Sequence, residues 1–138
     1  MKRISVIVAI TVVALFSCAV SYAQDPVKTK RVFADGTVSI NTSDICRKVD
    51  GFMGPTPLDI RIKNDTIKDI IPLANEETPA YFRAASALLK KWIGLSTEKG
   101  LTLKVDAVTG ATFTSDALIA NVRAGLKEYQ EYQETKKK

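Results

Sequence analysis

The sequence contains no histidine and only two cysteines, Cys18 and Cys46. The missing histidine excludes a His-based catalytic triad, a His-ligated zinc and a haem held by histidine ligands or a Cys-x-x-Cys-His attachment. Two separated cysteines cannot supply the thiolates of an iron–sulfur cluster. Cys46 reads as a small buried apolar residue, the usual fate of a lone cysteine. No Gly-Lys-Ser/Thr follows a glycine turn, so a Walker loop for nucleotide hydrolysis is also absent. Redox chemistry in this chain would therefore have to sit on an organic cofactor.

The excess of one charge sign over the other is small as well. The 138 residues carry 20 basic and 15 acidic side chains. Lys2 and Arg3 belong to the N-terminal segment, and a run of three closes the chain, Lys136-Lys137-Lys138. The body is nearly balanced and nucleic acid is not indicated as a partner. The terminal lysines read as a solvated tail.

The N-terminus follows the three-part pattern of a secretory signal peptide. Lys2-Arg3 precede an apolar run, Ile4 to Phe16, broken only by Ser5 and Thr11, and Ser21-Tyr22-Ala23 offers small residues at the two positions a signal peptidase reads. The run is shorter than the ~20 residues a spanning helix needs. Export to the periplasm or the outer face of the cytoplasmic membrane is expected, with cleavage after Ala23. Leu15-Phe16-Ser17-Cys18 offers a second processing route, a lipobox with a lipid anchor on Cys18. The expected organisation is a signal peptide over 1–23, a flexible polar lead-in over 24–32, one domain over 33–129 and a charged tail over 130–138.

The first half of that domain is strand-like. Thr37-Val38-Ser39-Ile40 alternates at period two, and Asp50-Gly51-Phe52-Met53-Gly54-Pro55 is turn-forming. Leu58–Lys63 alternates, Asn64-Asp65 makes a tight turn, and Thr66–Ile71 returns as the second arm of a hairpin. The second half is helical. Pro79 starts a helix whose inner stripe is Tyr81, Ala84, Ala85, Leu88, Leu89 and Trp92, with Gly94 at the stop. Leu101–Val105 alternates and reads as a further strand. A last helix begins near Ser115 with Leu118, Ile119, Val122, Leu126 and Tyr129 facing inward, and Glu128–Glu134 reads as its fraying end. The order implies an α+β fold: a small twisted antiparallel sheet with helices packed on it.

Chemistry concentrates in Asp106-Ala107-Val108-Thr109-Gly110-Ala111-Thr112-Phe113-Thr114-Ser115, which leaves the expected strand, turns at Gly110 and feeds the last helix. Small residues around Thr112 leave its hydroxyl accessible, and Gly110 lets the backbone approach a ligand. The start of a helix offers unpaired N–H groups and a positive dipole end, a setting that suits a phosphate. The segment also reads as ordinary capping chemistry, with Thr114 or Ser115 as N-cap. The two readings are compatible.

The series Asp106-x-x-Thr109-Gly110-Ala111-Thr112 resembles the flavinylation motif of the FMN-binding domain family, which includes the flavin-bearing periplasmic subunits C of sodium-pumping NADH:quinone reductase and G of the Rnf complex. The resemblance implies that FMN is held covalently, as a phosphoester on Thr112, and that Asp106, Thr109, Gly110 and Ala111 form the recognition segment. Thr114 and Ser115 match the hydroxyl-rich helix start of the family, and Glu77-Thr78-Pro79 matches its Glu-Thr-Pro near the flavin. The Gly51–Gly54 turn and the Leu58–Ile71 hairpin also resemble the family pattern, which covers about residues 35–128. The chain departs after Pro79, where Ala80-Tyr81-Phe82 replaces a glycine-rich stretch.

The implied partners are a flavin transferase that uses FAD and magnesium, then membrane proteins that donate and accept electrons. The implied role is that of an electron carrier, since the flavin performs the redox chemistry and no evident acid–base group accompanies it. An accessory docking module and a small extracytoplasmic flavin reductase are the alternatives. Several residues stay open between two roles. Trp92 and Tyr81 read as core, with stacking on the flavin as the alternative. Glu77 is either a cofactor contact or a solvated residue ahead of a helix, and Asp106 either orients the acceptor loop or makes an Asx-type turn.

Overall fold

A computed structural model describes residues 28–138. The expected signal peptide over 1–23, the alternative lipidation site at Cys18 and the start of the lead-in lie outside the described residues. Four strands, β1 (Lys30–Val32), β2 (Val38–Asn41), β3 (Leu58–Lys63) and β4 (Thr66–Pro72), precede three helices, α1 (Pro79–Ser86), α2 (Thr97–Thr102) and α3 (Thr112–Lys136). The sheet is an antiparallel meander in the order β1-β2-β3-β4. The fold is α+β, as expected from the sequence.

The β3–β4 hairpin turns on Asn64 and Asp65, both at positive φ (50° and 59°), the backbone of a type I′ turn that Asn and Asp tolerate. Alternation then places Leu58, Ile60 and Ile62 on one face, where all three are fully buried. Against that face lie the expected inner residues of α3, Leu118, Ile119, Val122, Leu126 and Tyr129. A buried polar link fixes helix to sheet. Thr42 Oγ1 donates to Asn121 Oδ1 at 2.6 Å and accepts from Leu58 N–H at 2.8 Å, while Asn121 Nδ2 donates to the Ala117 carbonyl at 2.9 Å. Nothing in the hydrophobic pattern announces this network.

Four expectations need correction. Residues 30–32, read as lead-in, form the edge strand β1 in register with β2, and Lys30 Nζ sits 3.7 Å from the centre of the Tyr132 ring. Leu101–Val105 is not a strand. Ser96 caps α2 by accepting from Lys99 N–H, and the β4 edge is already taken, since Ile67 N–H donates to Leu95 O and Gly94 N–H to Ile67 O. Leu101 and Thr102 close α2, the segment after Thr102 pairs with no strand, and the alternation survives as partial burial of Leu101, Leu103 and Val105 against the core, with Val108 packed there too.

The helix from Pro79 tightens into a 3₁₀ segment, Ala87–Lys91, and its inner face is carried by Ala85, Leu88, Leu89 and Trp92 with Phe82 beside them. Trp92 is core, donating from Nε1 to Gly100 O at 2.9 Å, but Tyr81 and Ala84 point outward. Finally, α3 starts at Thr112 rather than near Ser115, and neither Thr114 nor Ser115 caps it. The helix runs through Glu128–Glu134 to Lys136.

Candidate functional site

The site is built where the extended segment turns into α3. Ala111 N–H donates to Val108 O at 2.9 Å, closing a four-residue turn over Thr109 and Gly110. Gly110 has φ +84°, the left-handed position such a turn gives to glycine. Ser115 Oγ accepts from Val108 N–H at 3.1 Å, so the hydroxyl expected to cap the helix ties down the loop before it. The helix start carries no side-chain cap. Thr112 occupies the first helical position and is exposed, with Ala111 buried behind it. An uncapped helix start leaves N–H groups free to meet an anion.

Behind Thr112 sits a buried carboxylate. Glu77 is 6% exposed. Its Oε2 accepts from the Thr114 hydroxyl and its Oε1 from Met53 N–H at 2.7 Å. Its own N–H donates to Asn75 Oδ1 at 3.1 Å. Glu77 thereby joins the Gly51–Gly54 turn to the first turn of α3. Gly51 explains how the carboxylate fits: a Cβ there would stand 2.6 Å from Glu77 Oε1. The turn is closed by Gly51 N–H donating to Gly54 O at 2.8 Å. A negative group at a helix start is also favoured by the helix dipole.

Around Thr112 lies a cavity of about 320 Å³ lined by Phe52, Tyr81, Gly110, Ala111, Thr112, Phe113 and Thr114. None of these side chains is charged. Three are exposed aromatics from three separate segments: Phe52 at 66%, Tyr81 at 52% and Phe113 at 67%. The Phe52 and Phe113 ring centres are 6.4 Å apart with a 37° tilt.

The structure thus brings together Glu77, Gly110, Ala111, Thr112, Thr114 and Ser115. Thr109 completes the turn on the surface. Asp106 is exposed and its carboxylate makes no hydrogen bond among the described residues, so neither an Asx turn nor an orienting contact is seen. Thr78 and Pro79 serve α1, as its N-cap residue, without a side-chain bond, and its first residue. Sequence reasoning passed over Phe52 and Phe113 as site residues. Both lie inside segments it singled out, but their mutual approach is a tertiary fact.

The residues present fit FMN. The cavity falls at the small end of the ~300–1,000 Å³ range of cofactor sites, and its largely apolar wall suits the faces of a flavin ring. Beside it, the uncapped helix start and the exposed Thr112 hydroxyl suit the phosphate. Among the described residues no cluster of His, Cys, Asp or Glu could hold a metal ion. Comparison with known proteins agrees with this reading: a family model described as FMN-binding domain matches residues 51–127, which include the Gly51 turn, Glu77 and Thr112. No curated protein and no solved structure matches the chain.

Proposed function

Since the chain belongs to the FMN-binding domain family and is a flavin-binding protein, we propose that it is an exported electron carrier with FMN joined to Thr112 through a phosphoester. The observation that carries this reading is the position of Thr112: exposed, first in an uncapped helix, and on the wall of an apolar cavity. Thr112 Oγ is the nucleophile that takes the FMN phosphoryl from FAD, giving up its proton, with AMP as the other product of the transferase. Gly110 and Ala111 keep its approach clear of bulk. The N–H groups of the first turn hold the phosphate, and Glu77 fixes the helix start from inside through Thr114. When bound, the isoalloxazine supplies the reversible electron chemistry that no side chain here provides.

Export is supported by the sequence pattern of residues 1–23, and a covalent link suits that destination, because dissociated FMN would diffuse away with no local pool to replace it. The partners are a flavin transferase, then a membrane electron donor and acceptor. Asp106 and Thr109 act as surface recognition points for the transferase, consistent with their exposure. The test is the intact mass of protein coexpressed with a flavin transferase. The wild-type chain gains one FMN less one water, and Thr112→Ala gains nothing. Covalent flavin on the Thr112→Ala protein would refute the acceptor assignment.

A further inference from the structure

We propose that Phe52, Tyr81 and Phe113 form an aromatic cradle that covers the flavin ring and shields it from solvent, with Glu77 as the positioning residue that holds Phe52 in place. The inference rests on the reading of Thr112 as the FMN attachment point.

Four observations carry it. The aromatics come from the Gly51–Gly54 turn, from α1 and from the first turn of α3, yet all three line the cavity that holds Thr112. More than half of each side chain's surface is open to water. Large apolar side chains grouped in this way mark a surface that is covered when a ligand is bound. The side chains of the cavity wall carry no charge and offer only hydroxyls as polar groups, which suits a flat, neutral ring system tethered at its edge. Phe52 and Phe113, at 6.4 Å and 37°, lie within the separation at which aromatic rings attract one another. Both are exposed and present ring surface to a third ring. The ring belongs here for a further reason: the ribityl chain that links it to the phosphate is short, and these aromatics are the apolar surface adjoining Thr112.

Glu77 acts through the neighbours of the two phenylalanines. Its Oε1 accepts from Met53 N–H at 2.7 Å, the residue next to Phe52, and its Oε2 accepts from Thr114, the residue next to Phe113. One carboxylate therefore sets the spacing of the two phenylalanines without touching either ring. Removing it would leave the rings in the protein and release their relative position.

The experiment uses the full chain loaded by a flavin transferase, with covalent FMN counted by intact mass for every variant. Flavin fluorescence per bound FMN and its quenching by iodide are then compared for wild type, Phe52→Ala, Phe113→Leu, Tyr81→Ala and Glu77→Gln. A cradle gives a several-fold rise in fluorescence per flavin and easier iodide quenching when an aromatic is removed, because stacked aromatics quench the flavin and exclude the ion. Glu77→Gln gives a smaller change in the same direction while keeping the protein folded. The milder Phe113→Leu keeps bulk at the helix start, so the proposal remains testable if Phe52→Ala loads poorly. Loaded variants with the fluorescence and iodide access of wild type would overturn the cradle while leaving the Thr112 reading intact. Absence of covalent FMN on the wild-type chain would overturn that reading and the cradle with it.

Discussion

Glu77 and Thr114, 37 residues apart in the chain, share a buried hydrogen bond that ties the loop before α1 to the first turn of α3. The same carboxylate accepts from Met53 N–H, so three segments meet on one side chain. A buried carboxylate is tolerated when donors surround it and is costly when they are lost.

Replacing Glu77 by Ala removes the acceptor for two buried or half-buried donors. The expected loss is about 2–4 kcal/mol of stability, from hydrogen bonds to a charged group and the orphaned donors. Glu77→Gln should lose only about 1 kcal/mol, since the amide oxygen still accepts from Met53 and the Thr114 hydroxyl can turn to accept from the amide. Urea unfolding of the three proteins separates these outcomes. Equal stability of Glu77→Ala and wild type would show that the link carries no weight.

Gly51 is coupled to the same carboxylate. A Cβ at Gly51 would meet Glu77 Oε1 at 2.6 Å, and both carboxylate oxygens are already engaged. Gly51→Ala should therefore destabilise by ~1–3 kcal/mol, the usual result of overpacking. In a Glu77→Ala background only the Thr56 methyl, at 3.3 Å, still crowds that position, and the cost of the same change should fall. A double-mutant cycle measures the difference as a coupling energy. Additive effects would place the cost of Gly51→Ala in the backbone instead.

Much of this fold is legible in the sequence because its signals are local. Asn64-Asp65 demanded a tight turn, Pro79 a helix start, and the α3 stripe a buried face, and each is found. Leu101–Val105 misleads because alternation reports burial and says nothing of pairing; the β4 edge it would need is held by Gly94 and Leu95. Tyr81 misleads because helical spacing defines a stripe but not where the core ends, and the core begins one residue later at Phe82. At the site, the acceptor segment is readable from contiguous residues. The role of Glu77 is not, because its partners Met53 and Thr114 lie far from it in sequence. Phe52 and Phe113 escape for the same reason, whereas Tyr81, which joins them on the cavity wall, is readable as an alternative stacking residue.

Alkaline stability should fall because of two buried groups. Burial pushes the Cys46 thiol above its ordinary 9.0, and burial likewise pushes the Tyr129 phenol above its ordinary 10.0. The folded protein thus prefers both protonated, while the unfolded chain ionises at the ordinary values. The stabilisation is complete below the ordinary thiol value and is lost as pH rises through the raised ones. Urea midpoints measured from neutral into alkaline buffer should decline in that window. Cys46→Ala should flatten the earlier part of the decline; an unchanged slope would assign the loss to other groups. The thiol should also resist alkylating reagents until the protein unfolds.

Thr112 and Thr114, one turn-residue apart at the start of α3, should separate function from stability. Thr112 is exposed and makes no capping bond, so Thr112→Ala should change stability by less than about 0.5 kcal/mol. It should nevertheless abolish covalent flavin, because the hydroxyl is the proposed attachment point. Thr114 is buried, and its hydroxyl satisfies Glu77. Thr114→Ala leaves a carboxylate oxygen without its donor and should cost ~1–3 kcal/mol. Yet it retains the Thr112 hydroxyl, so the folded fraction should still accept FMN. Intact mass and urea unfolding on both variants give the crossed pattern directly. Full flavinylation of Thr112→Ala would remove Thr112 as the attachment point, and if well-folded Thr114→Ala lost the flavin as well, the attachment point would move to Thr114.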